Sequence, residues 1–126
     1  MLLNRYLSLI FFVMESKKDY IFVYGLFRDQ SKRMLGETIY CGKTTINGRL
    51  YKVNEFYPGF VSGKGKVFGD VYLFDTGLLP QMDEYEGIEY KRVRVTTASD
   101  IDCWVYEYID DVKSCPEIKS GDWYLR

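Results

Sequence analysis

The chain contains no histidine, so every Ser/His/Asp or Cys/His arrangement is excluded. Acid–base chemistry near neutral pH must therefore fall to a carboxylate, tyrosine or lysine with a shifted pKa. The densest group of such side chains is Met82-Asp-Glu-Tyr-Glu-Gly87, with three carboxylates in four residues. On the residues alone, its plainer reading is a solvated helix end. A second stretch, Phe22-Val-Tyr-Gly-Leu-Phe-Arg28, runs apolar into a glycine. A strand ending in such a turn presents backbone N–H groups that can hold an anion or a carbonyl oxygen, although a buried strand with an ordinary turn has the same composition. Cys41, Cys103 and Cys115 are odd in number and nowhere spaced as Cys-x-x-Cys. Without histidine they offer little to a zinc ion, and they read as reduced thiols of a cytoplasmic protein.

Composition narrows the partners. Seventeen basic and 18 acidic residues give a net charge of −1, so the long-range field that would draw a polyanion or an acidic membrane is missing. Neither nucleic acid nor a membrane is expected as a partner. The 126 residues suit one domain with a real core, and a monomer is the expectation. The first 14 residues carry Arg5 and a short apolar run that is too short to span a bilayer and lacks a small-x-small cleavage site. They read as a tail or a start-codon extension, leaving 15–126 as the domain.

The elements that must position the two stretches follow from periodicity. Residues 20–24 form an apolar strand, and 29–36 a loop with one helical turn. Strands follow at 38–41 and 44–53, the second bent at Asn47-Gly48. Tyr57-Pro-Gly-Phe60 reads as a turn and Gly63-Lys-Gly-Lys66 as a hairpin loop. Residues 67–75 alternate as a strand. A helix over 77–86 is capped by Asp75 or Thr76, has Pro80 in its first turn and stops at Gly87. Strands at 90–97 and 103–109 precede a surface tail in which Trp123 and Tyr124 dock. Six or seven strands with one or two short helices predict an α+β fold, a small mixed β-barrel.

Together the two stretches resemble a known family. Phe22-Val-Tyr-Gly-Leu-Phe-Arg28 is similar to the strand-and-loop motif of γ-glutamylcyclotransferase-like proteins. Met82-Asp-Glu-Tyr-Glu-Gly87 with Tyr90-Lys-Arg92, and Gly69-Asp-Val-Tyr72 between, resemble their further motifs in the same order. The resemblance implies a barrel with a cavity roofed by the Tyr24–Phe27 loop. It further implies cyclisation of a small-molecule γ-glutamyl substrate to 5-oxoproline, with no metal or cofactor. By that resemblance Glu86 is the catalytic acid–base, while Tyr24, Gly25, Leu26, Phe27 and Tyr90 bind substrate. A non-catalytic binding module on the same fold is the alternative. The sequence departs from the motif at Leu26, where the family has Ser or Thr, and at Phe27, where Leu is usual.

Overall fold

The computed structural model describes residues 17–25, 28 and 37–126. The expected tail at 1–14, the helical turn at 29–36, Leu26 and Phe27 lie outside these residues. Five strands are described: β1 (Lys18–Val23), β2 (Ile39–Lys52), β3 (Pro58–Asp75), β4 (Tyr90–Thr96) and β5 (Asp102–Tyr108). Between β3 and β4 a 3₁₀ turn (Thr76–Leu78) leads into α1 (Leu79–Glu86). The sheet order is β2-β3-β1-β5-β4. β1 lies antiparallel to β3 and parallel to β5. Past the end of β1 the neighbours close on each other, pairing Phe60 with Glu107, and this curls the mixed sheet into a half-barrel.

Five strands replace six or seven because two of them are long. The segments at 38–41 and 44–53 are one strand, irregular between Tyr40 and Gly42 and again at Asn47/Gly48, where a bend is expected. The hairpin turn lies at 53–57, not at 63–66. Asn54 builds it: its side-chain oxygen accepts from the N–H groups of Phe56 (2.8 Å) and Tyr57 (2.9 Å), an Asx turn. Pro58, Gly59 and Phe60 therefore open β3. Gly63-Lys64-Gly65 form a bulge inside it, since Ser62 pairs with Gly48 and Lys66 with Asn47.

Period-two alternation divides the core into two faces. Phe22, Val71 and Val105 point to one cluster with Leu50 and Phe60. Ile21, Val23, Tyr72, Phe74 and Tyr106 point to the other, where Met82 of α1 packs. The Asp75 carboxylate caps the 3₁₀ turn, accepting from Gly77 N at 2.9 Å, and the helix expected over 77–86 starts only at Leu79, with Pro80 in its first turn and no side-chain cap. It ends at Gly87, whose φ of 82° suits glycine and whose N–H donates to Asp83 O at 3.2 Å. On the outer face of β4, Arg92 and Arg94 stack over the Trp104 ring at 4.3 and 4.8 Å from its centroid.

The segment after β5 is part of the body rather than a surface tail. Ile118 and Trp123 are buried in the first cluster, Ile118 N donates to Leu50 O at 2.7 Å, and Phe68 N donates to Gly121 O at 2.9 Å. Its turn at Trp123–Leu125 opens with the Asp122 carboxylate accepting from Tyr124 N.

Candidate active site

A cavity of about 440 Å³ opens where β1 ends, walled by the 53–58 turn, α1, the start of β4 and Tyr106 of β5. Glu86, the last residue of α1, faces it. No described residue donates a hydrogen bond to its carboxylate or pairs with it, and burial alone pushes its pKa up from 4.5 to about 7. The cause is positional: Met82, one turn earlier, is anchored in the core, and the helix end withholds the N–H groups that would stabilise a negative charge.

Tyr24 and Gly25 both line the cavity. The Tyr24 hydroxyl donates to Tyr106 O (2.6 Å) and accepts from Phe60 N (3.2 Å). It thus stitches β5 to β3 at the seam where β1 stops, and burial raises its pKa well above the usual tyrosine value. Its ring, rather than its hydroxyl, is what it offers a ligand. Gly25 is needed for close approach, because a Cβ there would lie 2.8 Å from Pro58 Cγ. Its carbonyl accepts from Arg28 N at 3.1 Å, closing the glycine turn. Tyr90 lines the opposite wall and donates to Pro58 O at 2.8 Å. Its pKa is raised by burial and, secondarily, by the Glu86 charge. The neighbouring Tyr24 and Tyr106 hydroxyls feel the same charge. The structure thus brings Glu86, Tyr24, Gly25 and Tyr90 to one cavity.

Sequence reasoning missed two things. Glu89 stands on the cavity wall. Asp83 is more than a flanking charge: both its oxygens accept from Arg92, at 2.9 and 3.1 Å, and one also accepts from the Tyr106 hydroxyl at 2.7 Å. The signal was present in the spacing, since Asp83 precedes Glu86 by three residues while Arg92 and Tyr106 are cross-strand partners.

Chemically, a carboxylate titrating near neutrality among protonated tyrosines can take a proton from an ammonium group and return it to a departing nitrogen. Among the described residues, no group of three His, Cys, Asp or Glu side chains is placed to hold a metal ion, and no helix is long and apolar enough to cross a membrane.

A curled half-barrel of five strands with one short helix is also the fold of a solved AIG2-like protein. The structure of an AIG2-like protein from Mus musculus matches with a TM-score of 0.68 at 23% identity, over 81% of this chain and 86% of that one. The family model for gamma-glutamyl cyclotransferase, AIG2-like, matches residues 21–125, and the chain belongs to that family. It is 35% identical over 111 residues to the gamma-glutamylcyclotransferase family protein YtfP of Escherichia coli K12, covering 84% of this chain and 96% of that protein. The solution structure of ytfP from Escherichia coli matches with a TM-score of 0.67 and 34% identity, over 82% of this chain and 95% of that one.

Proposed function

We propose that the protein is a γ-glutamyl cyclotransferase that converts a γ-glutamyl amine or peptide to 5-oxoproline and the free amine, with Glu86 as general acid–base. The observation that carries this reading is the Glu86 carboxylate, which pairs with no described residue and is raised to about 7 by burial, on the wall of a cavity large enough for a small ligand. A free α-amino group has a pKa of about 8, so such a carboxylate is matched to deprotonate it.

Glu86 takes a proton from the substrate α-ammonium, and the freed nitrogen attacks the γ-carbonyl carbon. Ring closure is intramolecular, so much of the entropic barrier is already met and no covalent nucleophile is required. Negative charge develops on the γ-carbonyl oxygen, for which the backbone N–H groups of Gly25, Leu26 and Phe27 are the donors in this reading. One C–N bond forms and one breaks. The α-nitrogen gives up two of its three protons, the departing nitrogen gains two and leaves as an ammonium, and Glu86 ends as it began.

The test is 5-oxoproline release from a panel of γ-glutamyl amines, γ-glutamyl dipeptides and glutathione, with Glu86→Gln alongside. The expected outcome is turnover of one class and a loss of at least about 10²-fold in the variant. Absence of release from every substrate by folded protein would favour the alternative, a binding module, for which Leu26 in place of the family hydroxyl speaks.

A further inference from the structure

The Asp83 carboxylate is the meeting point of three structural elements. It sits on α1 one turn before Glu86 and accepts from the Arg92 guanidinium of β4 through both oxygens and from the Tyr106 hydroxyl of β5. The Arg92 guanidinium is further fixed by its stacking over Trp104. Tyr106 faces both sides of this arrangement: its hydroxyl is bound to Asp83, it lines the cavity, and the charges of both Arg92 and Glu86 act on it. The charges of the cation and of the cavity carboxylate therefore both act on one phenol. We infer that Asp83 is a positioning residue for Glu86: it clamps the last turn of α1 against β4 and β5 and holds the Arg92 guanidinium off the Glu86 carboxylate. The inference rests on the acid–base role given to Glu86 above.

The physical reasoning concerns what Glu86 would otherwise meet. A carboxylate keeps a raised pKa only while water and cations are excluded. The groups around Glu86 meet this condition. Tyr24 from the end of β1, Tyr85 of its own helix, Tyr90 of β4 and Tyr106 of β5 are neutral phenols, each coupled to its charge. Glu89, ahead of β4, is acidic. Arg92, whose charge also acts on Tyr106, is a cation outside this set, and Asp83 occupies it. A bidentate guanidinium–carboxylate pair is geometrically specific, which a lysine in place of Arg92 would not reproduce. Without Asp83, the helix end loses its two tethers and the guanidinium loses its partner, and both changes stabilise the ionised form of Glu86.

The experiment is a titration of the Glu86 side-chain carboxyl by ¹³C NMR, assigned with Glu86→Gln, in the wild type and in Asp83→Ala, Tyr106→Phe and the double variant Asp83→Ala/Arg92→Met. The expected result is a fall of about one pH unit or more in Asp83→Ala. A smaller fall is expected in Tyr106→Phe, with partial recovery in the double variant, where the released cation is gone. In the 5-oxoproline assay the acid limb of kcat/KM shifts in parallel. A Glu86 that titrates at an ordinary carboxylate value in the wild type, or one unmoved in Asp83→Ala, overturns the inference. Should Asp83→Ala not fold, Tyr106→Phe carries the test, and an unchanged Glu86 there overturns it. The carboxyl titration needs no turnover. Failure of the cyclotransferase reading, seen as no 5-oxoproline from wild type, is therefore distinguishable from failure of the clamp.

Discussion

A single side chain carries both a functional and a thermodynamic signature. The folded-state pKa of Glu86 lies above its ordinary value of 4.5, at about 7. Below about pH 4.5 the carboxyl is protonated in both folded and unfolded chains and costs nothing. As pH rises through 4.5 to 7 the unfolded chain ionises first, so stability is lost across that window. Glu86→Gln removes this penalty. It is expected to leave stability unchanged near about pH 3.5 and to raise it by roughly 2 kcal/mol near about pH 8.5, as measured by urea unfolding at the two pH values. Equal effects at both would show that Glu86 is not buried in its charged form. The residue itself was legible, because a helix predicted over 77–86 with a glycine stop places Glu86 at its end. The use of Tyr24 was not legible. Its hydroxyl is occupied by Tyr106 O and Phe60 N, partners that converge only because β1 is shorter than its neighbours, and strand length relative to neighbours is not a local property.

At the scale of elements, Arg28 is a buried cation that joins β3 to the C-terminal segment. The Arg28 side chain is 0% exposed and pairs with Asp70 of β3 at 3.1 Å and with Asp122 of the C-terminal segment at 2.7 Å. Its backbone carbonyl accepts from the Tyr72 hydroxyl at 2.9 Å, and its guanidinium stacks over Tyr124. Arg28→Ala leaves two largely buried carboxylates facing each other and is expected to destabilise the fold by about 3–5 kcal/mol in chemical denaturation. A change under about 1 kcal/mol would mean that the pairs are solvated. Helix α1, its glycine stop, and β4 and β5 were readable from period and turn residues, whereas its start was not, because Asp75 caps a 3₁₀ turn ahead of it. The 53–57 turn was not, because Gly63-Lys-Gly-Lys66 carries the stronger glycine signal. Asn54 outweighs it by supplying two hydrogen bonds to the turn through its side chain, while β3 absorbs the glycines as a bulge. Long strands with bulges break the alternation that sequence reading depends on, which is why two strands were expected where β2 is one.

At the scale of the whole molecule, the fold class followed from the number and spacing of apolar segments, but the curl did not. It depends on the pairing of β3 with β5 at Phe60 and Glu107, beyond the end of β1. That closure has a consequence in time. β2 and β3 are joined by a short turn and pair along nearly their whole length, whereas the Tyr24–Tyr106 bond spans 82 residues and the Arg28–Asp122 pair spans 94. Closing such loops costs chain entropy that only the completed contacts repay, so long-range pairing is the slow part of folding. In pulse-labelling hydrogen exchange during refolding, amides of β2 and β3 are expected to gain protection before those of β1 and β5, and simultaneous protection would contradict this order. The cavity lies on the seam expected to form late. A chain halted midway would hold most of its hydrogen-bonded strands and show the circular dichroism of a sheet, yet have nowhere to bind a substrate.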